Sequence, residues 1–377
     1  MNDTIRTEEN SIPQTGHISV SVVMPIYNAA DYLRPALDSV ISQTLRDVEI
    51  ICVDDGSTDH SLAILKEYQK RDPRVRIVTE TNAGPAKARN NGLRRARGEY
   101  LSFLDADDFF EPTMLEELYR TAKEKDLDIA VCEYDLFENR TARFKRSIPS
   151  EHADLLAGGR VTSKSDCPDI IFQATEGYVW NKLFRRDFVT EKELSFLESA
   201  QIFEDVYFTV TSLSLAERIG KCEGVLVHHR VYQKQVRSRV FRKKYAQVPA
   251  VYMAIKEFLI HRGLYLPLSS SFINLSVGIC FKVYNLLWID AKLSFWTLLH
   301  DTYAESFGWA ELDESGFSTK EIRDFAANVS MYTYPQYLKR EARGLTVRFA
   351  DWRRRVKAKK KRSKARSFFA GLFGKKS

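Results

Sequence analysis

In the stretch GEYLSFLDADD, Gly98 to Asp108, the residues Tyr100, Leu101, Phe103 and Leu104 lead abruptly into Asp105, Asp107 and Asp108. Aromatic and branched side chains suit a buried strand. Three carboxylates do not suit its continuation. Residues two apart in an extended segment share a face, so Asp105 and Asp107 point the same way. Two carboxylates so placed repel unless something positive lies between them, and a divalent cation carrying a phosphate meets that need.

The flanking chain has a regular rhythm. Ile18–Tyr27 reads as a fully buried strand, and Asn28–Gln43 has helical spacing with Leu33, Leu37, Val40 and Ile41 on one face. Pro35 fits only near the start of such a helix. Strands at Val48–Asp55, Arg74–Thr79 and Asp128–Phe137 alternate with helices that run from the Ser57–Asp59 caps to Tyr68, over Gly84–Arg97 and over Pro112–Lys125. Strands beginning near 18, 48, 74, 99 and 128 predict βαβ units, an α/β fold and a mainly parallel sheet. In such sheets ligands bind beyond the carboxyl ends of the strands. Polar clusters sit there: Tyr27-Asn28, Asp54 to Ser57, and Asp105 to Asp108. Together they point to a nucleotide crevice, although turns and helix caps explain any one of them alone.

Residues 138–240 lose this rhythm, and 241–350 read as helical and apolar. At 377 residues the chain exceeds one ordinary core, so an appended part is expected. The first 17 residues read as a disordered leader without a signal peptide. Five cysteines with no C-x-x-C spacing indicate neither a disulfide framework nor a zinc site, and suit a reducing compartment. The uncharged run Gly263–Phe281 has the length of a membrane span, but its serines, Asn274 and Pro267 favour a buried helix. Net charge is +7, with twelve Lys or Arg against one Asp in residues 351–377.

The motifs SVVMPIYNAADYL at 21–33, VDDGSTD at 53–59, AGPAKARNNGL at 83–93 and FLDADD at 103–108 resemble, in order and spacing, those of family-two glycosyltransferases. The resemblance continues more loosely through VWNKLFRRDF at 179–188 and FEDVYF at 203–208. It implies a GT-A fold: a Rossmann-like sheet with flanking helices, here followed by a C-terminal helical region. It implies an inverting transfer of one sugar from a nucleotide-sugar donor, UDP-linked, to a hydroxyl acceptor. By the same resemblance Pro25 and Tyr27 frame the base, Asp55 accepts from the uracil N–H, and Arg89 lies beside base and phosphates. Asp105 contacts the ribose side, Asp107 holds Mg²⁺ or Mn²⁺, and Asp205 is the catalytic base. Glu204 orients a neighbour or the acceptor, and Trp180, Asn181 and Lys182 face the acceptor side. His228-His229-Arg230 departs from the family's pattern. There His229 stands as a third metal ligand, and Arg230 or Arg237 as a cover for the diphosphate.

Plainer readings stand beside these. Asp205 also reads as a surface acid of an amphipathic helix, Trp180 as a core residue, and the His-His-Arg run as solvated loop. The basic tail, with Phe368, Phe369, Leu372 and Phe373, suits an anionic membrane surface, or is simply a solubilising end. No recognisable nucleic-acid-binding fold accompanies it. The expected partners are a nucleotide-sugar donor, a glycan or lipid-linked acceptor and an anionic membrane surface, with no nucleic acid. The expected place is the cytoplasm, on the inner face of the membrane. A non-catalytic nucleotide-sugar or membrane-binding module is the alternative reading.

Overall fold

The computed structural model describes residues 6–7, 16–147, 149–231, 244–344 and 354. The chain divides into two units, residues 1–240 with 257–268, and residues 241–256 with 269–377. The expectations for Arg237, for most of the leader and for the basic tail apart from Arg354 fall outside the described residues.

In the first unit the strands are β1 Arg6–Thr7, β2 Val20–Ile26, β3 Val48–Asp54, β4 Val75–Thr79, β5 Tyr100–Phe103, β6 Phe109–Phe110, β7 Ile129–Glu138, β8 Arg143–Arg146, β9 Val161–Thr162, β10 Lys182–Arg185 and β11 Ile219–Val231. They form one sheet in the order β1-β4-β3-β2-β5-β10-β7-β11-β6, with β8 on β7 and β9 on β11. The four strands β4, β3, β2 and β5 are parallel neighbours. Between them run α1 Ala30–Ile41, α2 Ser61–Arg71 and α3 Pro85–Leu93, and α4 Met114–Glu124 follows β6. The α/β architecture built on these parallel βαβ units is the one the sequence rhythm predicts, while the sheet as a whole is mixed, with four parallel and six antiparallel pairings among the described residues.

The strand β2 is buried at six of its seven positions. It tolerates Pro25 because its pairing with β5 ends at Val23, so the ladder needs no N–H from the proline. Helix α1 buries Leu33, Ala36, Leu37 and Val40. Pro35 sits inside α1, later than the sequence reading allowed. The carbonyl it leaves without an N–H partner is that of Asp31, an exposed residue of the first turn, where water can satisfy it. Gly92 lets α3 lie directly on β2, since a Cβ there would come within 2.3 Å of Val23 Cγ1.

One feature departs from the βαβ rhythm. β10, only four residues long, inserts antiparallel between β5 and β7. The predicted fifth strand therefore does not pair with β5, and joins the parallel set only through β10. Past it, α5 Arg186–Glu191 and α6 Glu204–Leu215 complete this unit's helices up to β11. Phe103 of β5, Phe184 of β10, Phe196 and Phe208 of α6 make a cluster, with the Phe196 and Phe208 rings stacked at 4.2 Å. Each aromatic pair contributes about 0.5–1.5 kcal/mol beyond its burial. The cluster fixes α6 against the end of β5.

The longer helices beyond β11 are α7 Gln247–His261, α8 Ser269–Leu286, α9 Ile289–Leu298, α10 Lys320–Met331 and α11 Tyr334–Glu341. The boundary between the units falls within α7. The second unit's core is aromatic: Trp296 packs on Tyr284, Phe325 and Tyr337. The uncharged run ends in α8, where buried Asn274 donates to the Gly316 carbonyl and buried Ser276 accepts from Trp309 Nε1. Its polar residues are thus satisfied within a protein core. Among the described residues no helix is long and apolar enough to cross a membrane.

Candidate active site

The candidate site begins at the carboxyl ends of β2 and β3. Asn28 adopts φ 50°, a left-handed turn that asparagine tolerates. Its Oδ1 accepts from the backbone N–H groups of Thr58 and Asp59, and its own N–H donates to Ser57 Oγ. The loops after β2 and β3 are thereby tied together. Beside them Tyr27 is 52% exposed, with Pro25 half-buried behind it. Asp55 is buried, and its two oxygens accept from the Ala83 and Gly84 N–H groups at 2.7 and 2.9 Å. Gly84, at φ 94°, caps the start of α3, so Asp55 also sets where that helix begins.

The acidic loop after β5 turns through a bond from Asp108 N–H to the Asp105 carbonyl. Its three carboxylates have three different surroundings. Asp108 is fully buried and accepts from the Arg230 N–H at 2.7 Å, with His229 Nδ1 at 2.9 Å from its other oxygen. Burial pushes its carboxyl up to about 6, while His229 opposes the shift. Asp105 is partly exposed and accepts from Arg89 at 2.6 Å. Asp107 is half-buried, and its backbone carbonyl accepts from Arg230 Nε at 2.7 Å.

Arg230 is therefore a buttress. It is buried, with its guanidinium about 5 Å from the rings of Tyr32, Phe109 and Phe137, and its Nη1 donates to Asn139. It props the acidic loop through its backbone N–H to Asp108 and its Nε to the Asp107 carbonyl. Its neighbour His228 is buried between Asp135 and Glu111, at 2.6 and 2.7 Å. The His-His-Arg run is thus paired and packed, not a solvated loop. His229 stacks on Trp180 at 5.3 Å, and Trp180 stacks on Tyr178 at 4.7 Å. Trp180 is 2% exposed, so it meets its surroundings as a core residue. Asn181 bonds the β7 backbone at the Cys132 carbonyl. Lys182 is fully buried and donates to the Glu176 and Tyr178 carbonyls and to Asn181 Oδ1. Burial pushes its ammonium down to about 8.

The two acidic motifs meet at Arg89. Its Nη2 donates to Asp105 and its Nη1 to Glu204 at 2.7 Å, across 115 residues of sequence. It is 4% exposed and held strongly cationic by those carboxylates against the cost of burial. Arg89 thus spans two loops, where the resemblance implied a side chain beside base and phosphates. Glu204 and Asp205 open α6, preceded by Phe203 at φ 62°. A bulky residue in that region is strained, and such strain concentrates at functional sites. Asp205 is partly exposed and accepts from the next N–H, that of Val206. Burial, then the adjacent Glu204 charge, push its carboxyl up to about 7, with Arg89 opposing.

Among the described residues no three His, Cys, Asp or Glu side chains group to hold a metal. A magnesium-type ion needs only one or two protein carboxylates and keeps several waters. Asp107, on a loop held from behind by Arg230, fits that modest requirement. His229 turns its Nδ1 to Asp108, the carboxylate contact that a metal-binding histidine makes with the ring nitrogen that is not the ligand, so this geometry is compatible with His229 as a further ligand. The sequence reading singled out Asp108 for its charge but assigned it no role. The signal was available, since a third acid in so short a loop needs a cationic or N–H partner.

A family profile described as glycosyl transferase family 2 matches residues 21–188. The chain is 34% identical over 214 residues to the uncharacterized glycosyltransferase EpsJ of Bacillus subtilis, covering 55% of this chain and 60% of that one. It is 31% identical over 244 residues to the putative glycosyltransferase EpsH of the same organism, covering 64% and 69%. The match thus spans less than two thirds of the first relative's length. Among solved structures, residues 1–349 of TarS of S. aureus in complex with UDP-GlcNAc superpose with a TM-score of 0.67 at 19% identity. That superposition covers 88% of this chain and 93% of that one.

Proposed function

The chain belongs to glycosyl transferase family 2 and has its GT-A fold. From that premise we propose that it moves a single sugar from a UDP-linked donor to a hydroxyl acceptor, with inversion at the anomeric carbon. The observation that carries this reading is the Arg89 bridge, which holds the donor-side Asp105 and the Glu204-Asp205 pair around one guanidinium. Exposed Tyr27 offers a stacking face for a base, and Asp55 retains lone pairs for a ring N–H. The UDP-GlcNAc in the TarS complex supports the choice of nucleotide.

Asp205 in this scheme takes the proton of the acceptor hydroxyl. The acceptor oxygen bonds to carbon one of the sugar as the bond from that carbon to the phosphate oxygen breaks. The electron pair leaves with the nucleoside diphosphate, and attack opposite the leaving group inverts the centre. Asp205 serves only as the carboxylate, so its raised pKa makes it a base matched to neutral pH. Arg89 and Glu204 position it, while Asp108 and Arg230 hold the loop that presents Asp107. Asp107 would hold a Mg²⁺ or Mn²⁺ ion, which neutralises charge on a departing diphosphate.

The acceptor is a glycan or lipid-linked precursor, reached from the cytoplasmic face with the basic tail against an anionic membrane. Support for that is the charge of residues 351–377. The test is a panel of sugar nucleotides with Mn²⁺, read by thermal shift and by release of nucleoside diphosphate. A stabilising UDP-sugar whose release of UDP depends on acceptor supports transfer, and the anomeric configuration of the product tests inversion. Saturable donor binding without UDP release across the acceptors would favour a non-catalytic module. Undiminished transfer after chelation would remove the role given to Asp107.

A further inference from the structure

The second unit carries an apolar projection that the sugar-transfer chemistry does not use. Helices α8 and α9 form a hairpin whose tip exposes Leu286 by 66%, Trp288 by 63% and Ile289 by 67%. Leu293, four residues along α9 and so on the same helix face as Ile289, is 47% exposed. Single exposed apolar residues are ordinary, but a contiguous set marks a surface that meets something apolar. These residues are not a frayed piece of core. Leu287 between them is 5% exposed, and the hairpin's base is pinned where Tyr284 meets Trp296 at 5.6 Å. The Lys292 ammonium lies 4.7 Å from the Tyr284 ring. The tip is thus a fixed presentation of three large side chains.

We propose that this hairpin tip inserts shallowly into an anionic lipid surface. Charge favours lipid over an apolar protein groove. Exposed Lys282 and partly exposed Lys292 flank the tip against exposed Asp290, and the sequence adds twelve basic side chains against one acid in residues 351–377. Basic charge draws a protein to anionic headgroups, and tryptophan favours the membrane–water interface. Among the described residues no helix can span a bilayer, so the contact is lateral. The proposal deepens the membrane reading of the tail and rests on it for charge, but does not require sugar transfer.

The test is flotation of the full chain with vesicles of phosphatidylcholine, with and without phosphatidylglycerol, comparing wild type with the triple variant Leu286→Ser, Trp288→Ser, Ile289→Ser. Inserting even one such side chain changes partitioning about tenfold or more, so the variant should bind anionic vesicles at least about tenfold more weakly. Its thermal midpoint should be unchanged. In wild type, brominated acyl chains should quench a fluorescence component that Trp288→Phe lacks. A variant that floats like wild type would overturn the proposal and leave the tail as the sole anchor. Absence of wild-type binding to anionic vesicles would overturn both readings. A tip variant that converts a dimer to a monomer without losing vesicle binding would assign the tip to a second copy of the chain.

Discussion

Two acidic pairs, Asp107-Asp108 and Glu204-Asp205, look alike in sequence and differ within themselves in the same way. In the first, Asp108 is buried and bound by His229 and by the Arg230 backbone. In the second, Glu204 is buried and bound by Arg89. Their neighbours Asp107 and Asp205 are partly exposed. One acid of each pair anchors a loop, and the other is presented. Residue type does not decide which is which; the hydrogen-bond partners supplied from a distant segment do. The pairs differ in which member has the raised proton affinity: burial, helped by the neighbouring carboxylate, raises the anchoring Asp108 in the first pair and the presented Asp205 in the second.

The comparison can be broken most sharply at Asp205. Asp205→Asn should lower turnover by about 10²–10⁴-fold, the usual worth of a positioned base, with donor affinity unchanged by calorimetry. The anchor Arg89 comes next. Arg89→Met leaves carboxylates without their cation and should cost about 3–5 kcal/mol in denaturant unfolding. Smaller still is Asp108→Asn, which keeps the shape but weakens the bonds to His229 and Arg230. It should cost about 1–3 kcal/mol, with turnover falling through a looser Asp107 loop. If Asp108→Asn lost turnover as completely as Asp205→Asn at unchanged stability, the division into anchoring and presented acids would fail.

Much of the parallel part of the sheet was legible because its information is local. β2, β3, β4 and β5 each carry enough adjacent apolar residues to declare themselves, and the helices between them keep their spacing. β10 was not legible. Four residues, KLFR, hold strand form only because β5 and β7 flank them from some 80 and 50 residues away. β11 hid for another reason: register shifts between Lys221 and Val227 interrupt the alternation that marks a strand. Asp205 was nameable only through the family's motifs, since locally it reads as an acid on a helix. The Arg89 bridge and the role of Asp108 depend on partners more than a hundred residues distant, which spacing cannot reveal.

The most direct measurement is the pH dependence of turnover at saturating donor, in wild type and in Arg89→Lys. A raised carboxyl must lose its proton before it can accept one. The rate should therefore rise with pH through about 7 and fall away below it. The same shift implies that ionising Asp205 costs folding stability as pH climbs from the ordinary carboxylate range, about 4, toward 7. In Arg89→Lys, a less well-fitted cation should move the rising limb to higher pH. A rate that is flat across this window, or a limb that ignores Arg89, would contradict the assignment of Asp205 as the proton acceptor.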